Sequence, residues 1–168
     1  MRHRSSWALL FLPALMLVGC LRAPDDAPRE APSFDLPQLS GGRLASESLR
    51  GKVVIVDFWA TWCGPCIAEI PEYAEFYRRN RSRGVEIVGI VCDSGEPQEI
   101  QDFVREFQIP YPQVVGNSAV QSAFKVNQGF PTTFIVDRKG QIRETYLGAT
   151  PNKFEKMQQA VDRFLAEQ

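Results

Sequence analysis

The chain has 168 residues, 44% of them hydrophobic and 23% charged, which suits one domain with a real core. Nothing in the composition suggests collagen, a disordered low-complexity chain or an array of repeats. Its 19 basic and 20 acidic residues give a formal charge of −1, with no basic patch of the kind that nucleic acid requires.

Arg2, His3 and Arg4 precede an apolar run from Trp7 to Val18. That run is too short for a membrane span and fits the core of a secretory signal. It ends in Leu17-Val18-Gly19-Cys20, which resembles the bacterial lipoprotein signal, where the peptidase cuts before a cysteine that has received lipid. The resemblance implies a signal over 1–19 and a mature chain that begins at lipidated Cys20, held to a membrane by several acyl chains. A plain signal peptide cut near Gly19 is the alternative. Either cut removes Arg2 and Arg4, leaving 17 basic against 20 acidic residues, and takes His3, the only histidine, with it. Without an imidazole, a Cys–His hydrolase, a histidine-ligated zinc site and a copper centre are all weakened, and no metal site is expected. Export also places the protein where disulfides persist.

Residues 20–32 carry Pro24, Pro28 and Pro32 among charged side chains and read as an extended tether, with the folded domain over 33–168. Phe34-Asp35-Leu36, a turn at Gly41-Gly42 and Arg43-Leu44 predict a small N-terminal hairpin. Val53–Trp59 is apolar on both faces, as a central strand should be, except at Asp57. Burying that carboxylate costs several kcal/mol unless it is neutral or paired, which marks it for a role. After Cys66, Ile67, Ile70, Tyr73, Ala74 and Tyr77 recur at helical spacing, Pro71 is expected to kink that helix or remove one of its hydrogen bonds, and Gly84 closes the segment. Val85–Val91 is the next buried strand, so Cys63 and Cys66 fall where a strand hands over to a helix. That is the geometry of a dithiol–disulfide redox centre.

Glu96–Phe107 predicts an amphipathic helix, Tyr111–Val115 a short strand and Ser118–Phe124 a short helix. Thr132–Val136 and Gln141–Leu147 form a hairpin turning at Asp137-Arg138-Lys139-Gly140. The last helix is expected to start at Thr150-Pro151, a cap followed by proline, and to reach about Glu167.

Val56-Asp57-Phe58-Trp59-Ala60-Thr61-Trp62-Cys63-Gly64-Pro65-Cys66, with Gly129-Phe130-Pro131-Thr132-Thr133-Phe134 far downstream, resembles the thioredoxin superfamily. The hairpin, the extra segment at about 95–120 and Glu69, three residues after Cys66, are similar to its TlpA/ResA-like branch of membrane-tethered bacterial oxidoreductases. The resemblance implies an α/β thioredoxin-like fold: a central mixed sheet flanked by helices, with the hairpin and an inserted helix and strand.

Cys63 at a helix N-terminus is the candidate nucleophile, because unpaired N–H groups and the helix dipole favour its thiolate. Cys66, a turn further in, resolves the mixed disulfide and leaves a Cys63–Cys66 disulfide, so no separate cofactor is needed. A permanent structural disulfide is the alternative, though so tight a ring constrains an unfolded chain poorly. The resemblance further implies that Asp57 takes the proton of the resolving thiol, that Glu69 acts beside the same cysteines, and that Pro131 is cis. It also implies that the residue before Pro131, here Phe130, pairs with a substrate chain, and Trp62 is expected on the same apolar rim. Cys92, left without a partner, reads as a buried small hydrophobe.

These readings imply an extracytoplasmic thiol–disulfide oxidoreductase that reduces disulfides of exported proteins, apocytochrome c being the example the family suggests. Gly64-Pro65 is the dipeptide of thioredoxin, whose potential of about −270 mV lies toward the reducing end. A reductant there needs a membrane thiol donor as its partner. Two alternatives are a peroxiredoxin-like peroxidase, whose Pro-x-x-x-Thr-x-x-Cys pattern is missing, and a copper-delivery or client-binding lipoprotein, which lacks the histidine that copper carriers of this fold use.

Overall fold

A computed structural model describes residues 28–167. The expected signal, Cys20 and the tether as far as residue 27 lie outside the described residues. From residue 28 the tether reading gives way. Arg29–Glu30 is a two-residue strand, β1, and it is followed by the hairpin strands β2 (Asp35–Pro37) and β3 (Arg43–Ala45). Then come β4 (Val53–Trp59), α1 (Gly64–Asn80), β5 (Val85–Val91), α2 (Pro97–Glu106), β6 (Gln113–Val115) and α3 (Ser118–Phe124). β7 (Thr132–Val136), β8 (Gln141–Leu147) and α4 (Lys153–Ala166) complete the order.

Six strands form one sheet in the order β1-β8-β7-β4-β5-β6, and β2-β3 pair separately. β4 runs parallel to β5 and antiparallel to β7, so the sheet is mixed. β1 pairs antiparallel with β8, Arg29 opposite Ile142, which explains why the charged residues before the hairpin are ordered: they finish a sheet edge. The Arg29 guanidinium reinforces this by donating to the Phe124 carbonyl and lying 5.8 Å from the Phe134 ring.

All seven residues of β4 are buried because both of its faces are covered. Val53, Ile55 and Trp59 meet residues of α1, α2 and α4 on one side. Val54, Val56 and Phe58 meet the hairpin and α3 on the other. By the same alternation Asp57 points to the α1–α4 side.

Two expectations shift at element ends. The Tyr111–Val115 strand begins at Gln113, with Pro110 and Pro112 before it unable to donate to a ladder. The last helix begins at Lys153, not at Thr150-Pro151. Lys153 N–H closes a turn on the Thr150 carbonyl, and Asn152 takes a left-handed conformation with φ 58°. Pro151 belongs to that turn, and the change of register aims Lys153 inward. Pro71 does not break α1, which runs through it. Packing of the buried face outweighs the one backbone bond the proline removes.

Candidate active site

β4 ends at Trp59, and the chain turns through Ala60-Thr61-Trp62 to place Cys63 at the N-cap of α1. Two contacts from the loop after β5 hold that turn: Cys92 N–H donates to the Trp59 carbonyl (2.9 Å) and Thr61 N–H to Ser94 Oγ (3.0 Å). Cys63 and Cys66 are joined in a disulfide. The Cys63 sulfur accepts the Cys66 N–H at 3.3 Å, the position where a side chain caps a helix and where a thiolate is favoured. Cys63 is only 5% exposed, so a partner sulfur has a narrow approach.

That approach is flanked by aromatic surface. Trp62 is 64% exposed, donates from Nε1 to the Asp93 carbonyl at 2.7 Å, and lies 5.9 Å from the Phe130 ring. The Phe130–Pro131 peptide bond is cis. The Pro131 carbonyl is occupied by Gly148 N–H at 2.8 Å, whereas Phe130 N–H and C=O bond to no other backbone group among the described residues.

Beneath α1 lies a buried polar cluster. Asp57 Oδ1 accepts from Tyr73 Oη (3.0 Å) and from Thr133 Oγ1 (2.7 Å), and no described residue donates to Oδ2. Glu69, on the buried face of α1 with Cys66 and Tyr73, receives the Lys153 ammonium at 2.8 Å. Burial pushes Asp57 above the ordinary carboxyl value, against the pull of Lys153 and the two hydroxyls. Burial raises Glu69 too, against its bond and attraction to Lys153, while the charge of Asp57 adds to the rise. The sequence brought out both acids but not Lys153, Tyr73 or Thr133. A lysine four residues beyond Ala149 looks solvent-facing until the start of α4 is known.

Trp59 is a core residue whose Nε1 donates to Gln113 Oε1 at 2.9 Å. Cys92 is fully buried, and burial pushes its thiol up to about 12. A cavity of about 420 Å³ lies between Phe34, Leu49, Val54 and Phe124 on the other face of the sheet and contains none of these residues.

The AhpC/TSA family profile matches residues 28–145. The thiol-disulfide oxidoreductase ResA of Oceanobacillus iheyensis is 32% identical over 156 residues, 87% of this chain and 80% of that one. ResA of Geobacillus kaustophilus is 35% identical over 120 residues, 70% of this chain and 67% of the other. The crystal structure of a thiol:disulfide interchange protein of the thioredoxin family from Chlorobium tepidum covers 83% of this chain and 97% of its own, at 30% identity and a TM-score of 0.74. With a Cys-x-x-Cys pair at the start of α1 and relatives of this kind, the chain belongs to the AhpC/TSA family, among thioredoxin-like thiol–disulfide oxidoreductases related to ResA.

Proposed function

We propose that this oxidoreductase acts outside the cytoplasm, tethered by lipid on Cys20, and reduces disulfides in exported proteins, apocytochrome c among the candidates. The observation that carries the reading is the placement of Cys63 at a helix N-cap next to Trp62, whose ring lies 5.9 Å from that of Phe130, a residue whose backbone N–H and C=O bond to no other backbone group among the described residues. Trp62 supplies an exposed apolar edge to the same approach.

In the reduced enzyme the Cys63 thiolate attacks a client disulfide. A Cys63–client bond forms, the client S–S bond breaks, and the departing client thiolate takes a proton. Cys66 gives its proton to Asp57, and the new thiolate attacks Cys63 Sγ. The Cys63–Cys66 bond forms as the second client sulfur leaves with its electron pair and is protonated. Two electrons have passed to the client, so a membrane dithiol must reduce the enzyme again. Asp57 suits the proton step because Oδ2 has no donor while Oδ1 is held by two hydroxyls.

The test is Cys66→Ala in the full-length protein in its host, which stalls the reaction at the Cys63–client bond. Oxidised exported proteins are expected among the trapped partners. Capture of the membrane dithiol donor with no oxidised client would overturn the client half of the reading, and capture of nothing would sink it whole.

A further inference from the structure

Lys153 is 2% exposed and is the one buried cation among the described residues. A charge so placed needs compensation on every side. It has one carboxylate, Glu69 Oε2, at 2.8 Å, and the faces of two rings, Tyr73 at 5.2 Å and Phe154 at 5.9 Å from their centroids. The Tyr73 ring under the ammonium carries the hydroxyl that donates to Asp57. Two carboxyls, one from β4 and one from α1, thus share a buried space with a single cation from α4, and only one of them touches it.

Resting on the roles given above to Cys66 and Asp57, we propose that Lys153 is a positioning residue for the dithiol reaction: its ammonium is committed to Glu69, which stays ionised and fixed, so that Asp57 alone exchanges the proton with Cys66. Without that cation, two like carboxyls would compete for one proton and titrate as a pair.

The groups that face this space are few. α1 contributes Glu69 and Tyr73, with Glu72 acting on Glu69 from the same helix, and the segment before β6 contributes Tyr111. β7 adds the neutral Thr133, and β5 places Gly89 opposite Asp57, so neither strand brings a charge. Burial, and then the charge of Asp57, push both tyrosines well above their ordinary value, so they remain hydroxyl donors throughout. The proton balance therefore lies between Asp57 and Glu69.

The experiment follows the carboxyl carbon resonances of Asp57 and Glu69 against pH in the oxidised protein, where neither Cys63 nor Cys66 titrates. Lys153→Met is expected to move the Asp57 midpoint up by about one pH unit or more, and Glu69→Gln to move it down. The double variant should fall between them, close to the wild type, and Lys153→Arg should stay near the wild type. A cation that merely packs would produce no such opposed pair. If Lys153→Met and Glu69→Gln shift the midpoint in the same direction, or neither shifts it, the proposal is overturned. Should Lys153→Met fail to fold, Glu69→Gln and the double variant decide: the first must lower the midpoint and the second restore it. The pH midpoint of client reduction must then follow the Asp57 midpoint across the variants, and failure to follow also overturns it. A wild type that reduces no disulfide at any pH would count against the proposed function, while the titration would still decide whether Lys153 sets the Asp57 midpoint.

Discussion

Trp62 holds a large apolar ring in solvent, pinned at one end by its bond to the Asp93 carbonyl and packed at the other on Phe130. An indole kept rigid and exposed beside a reactive sulfur is suited to bind part of a client chain. Trp62→Ala should therefore lower kcat/KM for a folded or peptide disulfide by roughly thirtyfold, the effect of losing about 2 kcal/mol at an interface anchor. The rate with a small aromatic disulfide should change far less, because that substrate needs only the sulfur. Equal losses for both would mean that Trp62 shapes Cys63 and not the client. At this scale the sequence was readable where a residue broke a pattern. Asp57 is a carboxylate in an apolar strand, and Cys63 and Cys66 stand together at a strand–helix junction. Tyr73 and Thr133 broke no pattern, since an aromatic on a helix face and a threonine in a strand are ordinary core residues. Only the hydrogen bonds to Asp57 reveal them.

Among the elements, the β7–β8 hairpin depends on one side chain. Asp137 is buried, and its Oδ1 accepts Lys139 N–H and Gln141 N–H, both at 2.9 Å, while Oδ2 pairs with Arg143 at 2.8 Å. Burial alone would raise this carboxyl, but the Gln141 and Lys139 amides and the Arg143 guanidinium outweigh it and hold the group below its ordinary value. The folded state therefore binds fewer protons here than the unfolded chain. Its contribution to stability is present above the ordinary carboxyl value and is lost as pH falls through the lowered one. Asp137→Ala should cost about 2–3 kcal/mol at neutral pH, measured by urea unfolding, with the gap to wild type closing in acid. A constant gap would show that packing, not charge, carries the loss. The turn itself was legible from Asp137-Arg138-Lys139-Gly140, as were β4, β5, α3 and the strand pair, because periodicity and turn residues agree there. β1 was not legible, since two charged residues become a strand only by adding to the edge that β8 offers. The start of α4 misled for a related reason. Thr150-Pro151 carries the signature of a helix start, yet the turn closed by Lys153 N–H uses it first, and that displacement hid the buried lysine.

Across the whole molecule, the buried polar cluster is also a tertiary joint: Asp57 from β4, Thr133 from β7, Glu69 and Tyr73 from α1 and Lys153 from α4 meet inside one core. Such a joint could serve stability, function, or one at the expense of the other, and Asp57 separates these. Burial raises its pKa, so the folded state binds the proton more tightly than the unfolded chain does. Between the ordinary carboxyl value and the raised one, stability falls as pH rises, and above it the folded protein carries a buried charge it would be more stable without. Asparagine keeps an oxygen that can accept from Tyr73 and Thr133 but never ionises. Asp57→Asn should accordingly be more stable than wild type at neutral and alkaline pH, by on the order of 1 kcal/mol or more, since each unit of displacement corresponds to about 1.4 kcal/mol. The difference should vanish once the pH is low enough to protonate Asp57 in both states, while client reduction slows at every pH at which the resolving thiol needs an acceptor. Thermal unfolding of the oxidised proteins across pH, set beside their reduction rates, measures both halves. A variant less stable than wild type at neutral pH would mark the carboxylate as an anchor for the two hydroxyls. One that is more stable and slower would show that the fold retains an unfavourable buried charge for the proton it can take.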